Sequence, residues 1–295
     1  MTYSHVSVLS KEALEYWVQD QEGVYIDATV GGGGHSLQLL SQYPHVCLIA
    51  FDQDPVAIDA AKERLGAFSN RITWIRANFR DMDQKIDPSL HGHIAGIFFD
   101  LGVSSPQFDD SSRGFTYQAD ATLDMRMDPS NPLTAFRLVN MRSKEEITHA
   151  LREWGEERWA RRIADFIVKA REREPIRTTG QLVELIKAAI PASARRTGGH
   201  PARRTFQALR IWVNDELGAL NQGLEASQHL IAPKGRVVVI SFHSLEDRIV
   251  KHVFRQWAQE QKGHIATKHP LTPSDEEVLE NPRSRSAKMR VFEHF

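Results

Sequence analysis

The chain has 295 residues, 41% of them hydrophobic and 25% charged, with a formal net charge of −1. That is apolar material for one large domain or two ordinary ones, and the near-zero balance excludes a polycation that coats nucleic acid along its length, so any nucleic-acid surface has to be local. A single cysteine excludes an internal disulfide framework, no basic segment leads into an apolar one near the N-terminus, and no apolar run approaches the roughly 20 residues that span a bilayer; a cytoplasmic protein with no membrane partner is expected.

In chain order, VYIDATV (24–30) reads as a strand, and a glycine cluster at 31–34 hands over to a helix beginning near His35. VCLIAFD (46–52) is a second strand, with Cys47 expected in the core. DPVAIDAAKERLGAF (54–68) is helical, RITWIRANF (71–79) is a strand, and IAGIFFDLG (94–102) is another, closing on Asp100. This alternation predicts a parallel α/β sheet. From 109 to 142 the chain reads as loop, and then only helices follow. Ser143 and Glu146 have capping-box spacing ahead of Ile147, Leu151 and Trp154. Trp159, Ile163, Phe166, Ile167 and Ala170 share one face of a second helix. Thr178 and Gln181 start a third, which Pro191 ends. A helical insertion at 109–204 is therefore expected, splitting an α/β domain into 1–108 and 205–295. The rest reads as a long amphipathic stretch (206–230), a turn and a β-branched strand (231–243), a helix (245–259) and a final strand in the last ten residues.

The glycine cluster sits where a first strand meets a helix, and Asp52 ends the second strand about 20 residues on, where nucleotide binders put a carboxylate on ribose hydroxyls. A P-loop needs Lys-Ser or Lys-Thr after its last glycine, and His35-Ser36 stands there instead. A nicotinamide site wants a third glycine where Ser36 stands. A nucleoside ligand without a pyrophosphate needs neither, and S-adenosylmethionine is such a ligand, with Asp27 near enough to meet its cationic end. Asp52 and Asp100 close strands and Asp27 lies on the first, so all three are expected to face one cleft.

Methyl transfer from a sulfonium has a neutral leaving group and needs positioning more than acid–base power. An exocyclic base amine is a poor nucleophile, which hydroxyl or carbonyl acceptors on its N–H groups improve. Ser105-Pro106 in DLGVSSPQF supplies acceptors, and the proline has no competing N–H. Phe108 or Phe115 is a candidate to stack on an extruded base. These residues alone leave RNA against DNA, and cytosine against adenine, open.

SFHSLEDR (241–248) holds Ser241, His243, Ser244 and Asp247 but lacks the G-x-S-x-G elbow of a hydrolase. Either these side chains line the cleft, with His243 a secondary catalytic candidate, or Ser244 caps a helix whose first turn holds Asp247. His91 and His93 lack further ligands at metal spacing, and no metal is expected. Arginine-rich ARRTGGHPARRTFQALR (194–210) and NPRSRSAKMR (281–290) are candidate phosphate contacts, and Arg113-Gly114-Phe115 and Met125-Arg126-Met127 are candidate substrate elements.

Taken together, HVSVLSKEAL, YIDATVGGGGHS, DLGVSSPQFDDSSRGF, LDMRMD, GEERWARRIA, RTFQALRIWVN and ISFHSLEDRIVK resemble the RsmH (MraW) family over almost the whole chain. The family's usual Gly-Pro ahead of LDMRM is Ala121-Thr122 here. The resemblance implies a class I methyltransferase, a Rossmann-like and mostly parallel sheet, with the inserted helical domain recognising substrate. It implies S-adenosylmethionine held by Gly33, Gly34, His35, Asp52, Phe79, Asp100 and Gln107, and methylation of N4 of a cytidine in the decoding region (P site) of 16S rRNA within the small ribosomal subunit. Asp100, Ser105 and Pro106 are then expected around the amine. A homodimer is left open. The alternative is a nucleoside-binding, ribosome-associated scaffold without catalysis.

Overall fold

The computed structural model describes residues 7–104, 107, 110–195 and 199–295. The chain divides into two compact units, Met1–Pro106 with Leu217–Phe295, and Gln107–Glu216.

The first unit is built on seven strands: β1 (Val24–Asp27), β2 (Cys47–Asp52), β3 (Ile72–Arg76), β4 (Ile94–Asp100), β5 (Ile231–Ser241), β6 (Gly263–Ile265) and β7 (Lys288–His294). Their order across the sheet is β3-β2-β1-β4-β5-β7-β6. Strands β1 to β5 pair in parallel, and β7 runs antiparallel to β5 and β6. This is the mostly parallel α/β sheet that the alternation of strands and helices predicts. Both faces are covered, which is why the central strands read as unbroken apolar runs. Tyr25, Phe98 and Val238 join Trp17, Leu39 and Ile58 on one face. Their neighbours Ile26, Phe99 and Val239 join Leu220, Leu224 and Phe254 on the other.

Four details differ from the sequence reading. Cys47 is exposed rather than in the core. It is the first residue of β2, at the rim of the sheet, while Val46 and Leu48 beside it point inward and are buried. The expected turn at IAPKG is instead part of β5: Lys234 adopts φ 64, and the pairing with β4 slips there, Ile94 opposing Ile231 and Gly96 opposing Arg236. A helix, Ser10–Trp17, precedes β1 and was not anticipated. The stretch 206–230 is two helices, Arg203–Asn214 and Glu216–Leu230, parted by Asp215 at φ 47, a left-handed conformation that Asp tolerates better than most residues. The α/β unit resumes at Leu217, so the first of these helices belongs to the helical unit and the return lies later than 205.

The helical unit contains the helices Ala135–Met141, Lys144–Glu153, Ala160–Arg171, Thr179–Ala189 and Arg203–Asn214. The Ser143/Glu146 and Thr178/Gln181 capping boxes both form. The loop-like stretch before them is pinned from several sides. Arg126 makes a two-pronged pair with Asp124 and binds the carbonyls of Pro129 and Asn131. Asn214 accepts from Met127 N and donates to Met125 O, both at 2.8 Å. Among the described residues, no helix is long and apolar enough to cross a membrane.

Candidate active site

Strand order reverses direction between β1 and β4, and ligands of open α/β sheets bind at the carboxyl ends of strands beside such a point. Three carboxylates end strands here. Asp27 lies opposite Ala50 of β2 and Phe98 of β4, so Asp52 and Asp100 each project two residues past it, one on either side.

Between β1 and the helix Gly34–Gln42 the chain turns tightly. Gly31 and Gly33 adopt φ +50 and +75, which L side chains rarely tolerate. Val30 N donates to Phe51 O, and Gly33 N donates to Val30 O. Asp52 holds this turn from below: its carboxylate accepts from Gly31 N and from Asp54 N, each at 2.9 Å. The far side of Gly31 faces Ser104, at the start of the Ser-Ser-Pro-Gln segment; a Cβ on Gly31 would come within 3.3 Å of the Ser104 Cβ. The helix Gly34–Gln42 has no side-chain cap, so its first-turn N–H groups point out of the helix end without a partner within it.

Below the turn, Asp27 is buried. It accepts from the Ser36 hydroxyl at 2.6 Å and from Thr29 N at 3.1 Å. Thr29 Oγ1 in turn accepts from Asp100 N at 2.7 Å, which ties the ends of β1 and β4 together. His35 packs its ring on Phe98, 4.6 Å between centroids, and brings Nε2 to 3.5 Å from Asp100 Oδ2. His35 Nε2 and Asp100 Oδ1 are buried, and among the described residues neither has a hydrogen-bond partner. Burial pushes the Asp27 carboxyl up to about 6, against the pull of Ser36, and pushes Asp52 up to about 7, against the pull of the Asp54 and Gly31 amides.

Past β3, Phe79 opens a short 3-10 turn and sets its ring edge-on to Phe99 at 5.4 Å. Gly223 of the helix Glu216–Leu230 lets that helix come close, since a Cβ there would overlap the Phe79 ring. Asn78 Nδ2 donates to Gln53 Oε1 at 2.9 Å, bridging the segments that follow β2 and β3.

Thus the structure brings together Gly33, Gly34, His35, Asp52 and Asp100, and it places Phe79 at the end of the neighbouring strand. Gln107 is buried as the first residue of the helical unit. Ser105, Pro106 and Phe108 lie outside the described residues. His243 caps the helix Ser244–Gln259, one residue before the cap expected at Ser244. Its Nδ1 accepts from Glu246 N, its Nε2 lies 3.1 Å from Glu246 Oε1, and the ring is nearly buried. Asp247 is gripped by Arg290 at 2.7 Å and by Lys288 at 3.4 Å, which ties up both of these basic residues of 281–290.

In the helical unit, Phe115 is buried beside Arg113, which donates to the carbonyls of Arg126 and Met127. Met125 and Met127 are buried too. These elements are internal struts, not free substrate contacts. Within 194–210, Arg210 is spent on a two-pronged pair with Glu216, while Arg195 and Arg203 are exposed. Sequence reasoning missed Thr29 and Ser36 as supports of the carboxylates; a hydroxyl within a turn of a strand-end aspartate was the available signal.

The chain is 53% identical over 307 residues to the ribosomal RNA small subunit methyltransferase H of Symbiobacterium thermophilum, covering 99% of this chain and 96% of that one. It is 52% identical over 312 residues to the protein of the same name in Heliobacterium modesticaldum, covering 99% of each. Among solved structures, an rRNA methylase from Streptococcus thermophilus superposes with a TM-score of 0.45 at 10% identity, over 97% of this chain and 94% of that one. The pattern of the MraW methylase family matches residues 2–295, and the chain belongs to that family.

Proposed function

We propose that this protein transfers a methyl group from S-adenosylmethionine to the exocyclic N4 amine of a cytidine in the decoding region of 16S rRNA. The observation that carries the reading is the pair of buried atoms, His35 Nε2 and Asp100 Oδ1, that have no hydrogen-bond partner among the described residues, beside a left-handed glycine turn and an uncapped helix end. Buried polar atoms without partners are costly and rare, and a ligand with charged and polar groups at that spot removes the cost. The names of its relatives supply the substrate class, ribosomal RNA of the small subunit.

The residues present suit this cofactor. The N–H groups at the start of the helix Gly34–Gln42 suit its carboxylate. Asp52, at the end of β2, suits the ribose hydroxyls, and Phe79 offers a ring to the adenine. His35 and Asp100 suit the amino-acid end. When bound, the sulfonium supplies an activated methyl group with a neutral leaving group. The chain's own task is then orientation. Asp100, Ser105 and Pro106 offer acceptors to the amine N–H groups, which favours a nitrogen lone pair directed along the line of transfer. His243, tied to Glu246, serves this reading as a fixed wall more than as a free base. The helical unit takes the role of substrate recognition, with Arg195 and Arg203 as exposed phosphate contacts.

The test is incubation with labelled S-adenosylmethionine and small ribosomal subunits from cells lacking this activity, followed by nucleoside analysis. Label on N4 of one decoding-region cytidine is expected. Intact cofactor binding without label on any nucleoside would instead support a non-catalytic, ribosome-associated scaffold.

A further inference from the structure

The segment just before the first helix does more than lead into it. Leu9 is buried and adopts φ 49, ψ 37, a left-handed conformation that a leucine takes only when its surroundings impose it. Its N–H donates to Glu277 Oε1 at 2.8 Å, a bond that joins the two extremes of the chain. Glu277 lies on the helix Asp275–Glu280, itself capped by Ser274. The strained residue is therefore anchored.

The anchoring directs Ser7. A Cβ built on Gly34 would run into the Ser7 hydroxyl, so that hydroxyl lies against the first residue of the helix Gly34–Gln42. Cα–Cβ bonds lean towards the N-terminus of a helix, so the hydroxyl sits at the end where the unpaired N–H groups emerge. A hydroxyl there adds a side-chain donor to a set of backbone donors.

We propose that Ser7 is a cofactor-binding residue that donates to the carboxylate of S-adenosylmethionine, and that Leu9 and Glu277 are the positioning pair that hold it there. The assignment rests on the glycine turn being the cofactor's seat. It makes the strap 7–9 part of the binding site and makes its anchor, far off in the sequence, a determinant of cofactor affinity.

The test compares two ligands by equilibrium titration: S-adenosylmethionine, and 5′-methylthioadenosine, which lacks the amino-acid tail. Ser7→Ala is expected to weaken the first by about tenfold, the scale of one hydrogen bond to a charged group, and to leave the second unchanged. Glu277→Ala should give the same pattern, and Glu277→Gln, which keeps an acceptor oxygen for Leu9 N, should restore wild-type affinity. Equal losses for both ligands would mean a general disturbance of the fold and would overturn the assignment, as would unchanged affinity for S-adenosylmethionine in Ser7→Ala. A wild-type protein that binds neither ligand would overturn the seat itself, a result distinct from the other two.

Discussion

In the helical unit Asp120, Asp124, Glu146 and Asp165 are held down; at the ends of β1 and β2, Asp27 and Asp52 are pushed up. Asp165 is drawn to about 2 by Lys144 and Lys169. Asp120 is lowered by the Thr178 hydroxyl and the Gly180 amide. Burial works against Asp124, yet the paired hydrogen bonds from Arg126 outweigh it. Away from its strand ends the α/β unit behaves in the same way: Asp247 is buried, and Arg290 and Lys288 still lower it. Among the carboxylates of the described residues, only Asp27 and Asp52 are raised to values near neutrality, and no described cation is hydrogen-bonded to either. Where the only task is to be folded, charge is matched locally. Where charge is left unmatched, the proposed partner is a ligand.

The contrast can be broken most forcefully at Asp52. Asp52→Ala should weaken binding of S-adenosylmethionine by about 100-fold, the loss of two hydrogen bonds to a charged group, while circular dichroism stays native. Unchanged affinity would remove Asp52 from the site. The proton on Asp52 gives the next largest effect. The proposed contact with ribose hydroxyls selects the carboxylate, so binding is expected to expel a proton below the free value of about 7. Affinity should fall by about tenfold per pH unit below that value and level off above it, with proton release visible as a buffer-dependent binding enthalpy. A flat profile between pH 5.5 and 8.5 would contradict this.

Asp27 sharpens the comparison through stability. Its folded value, raised from 3.8 to about 6, means that the native state holds the proton longer than the unfolded chain. Stability is therefore lost as pH rises from about 4 to about 6, and stays lost above. Asp27→Asn should stabilise the protein at pH 8 by on the order of 1–3 kcal/mol and change nothing at pH 4, read from denaturant midpoints. The smallest effect belongs to the helical unit. Ser143→Ala should cost about 1 kcal/mol through the lost cap and leave cofactor affinity untouched. A shift in affinity would show that the two halves of the contrast are not independent.

Much of this was legible in the sequence. Apolar runs that end in an acid gave β2 and β4 nearly to the residue, because strands covered on both faces are continuous and their ends are not. Both capping boxes were readable because a hydroxyl and a carboxylate at fixed spacing leave few alternatives to a helix start. The glycine turn with Asp52 pointed to a nucleoside before any fold was seen. Other features were not readable, each for a physical reason. Asp215 interrupts a pattern that is otherwise periodic on both sides, and periodicity cannot see one left-handed residue. Cys47 lies in an apolar run, and a run does not say where the rim of the sheet falls. The bond from Leu9 to Glu277 depends on contact between distant segments, for which local pattern holds no signal.

The placement of the helical unit bears on how the chain folds. It is inserted between β4 and β5, which are neighbours in the middle of the sheet. That pair cannot close until everything from Asp100 to Ile231 has been made, and β5 also needs β7, from the last residues of the chain. The helices, with contacts close in sequence, have no such wait. During synthesis the helical unit is expected to form first and β1 to β4 to stand as an incomplete sheet, with β4 an open edge. The sheet is thus expected to close after the helices have formed, once β5 and β7 have both been made.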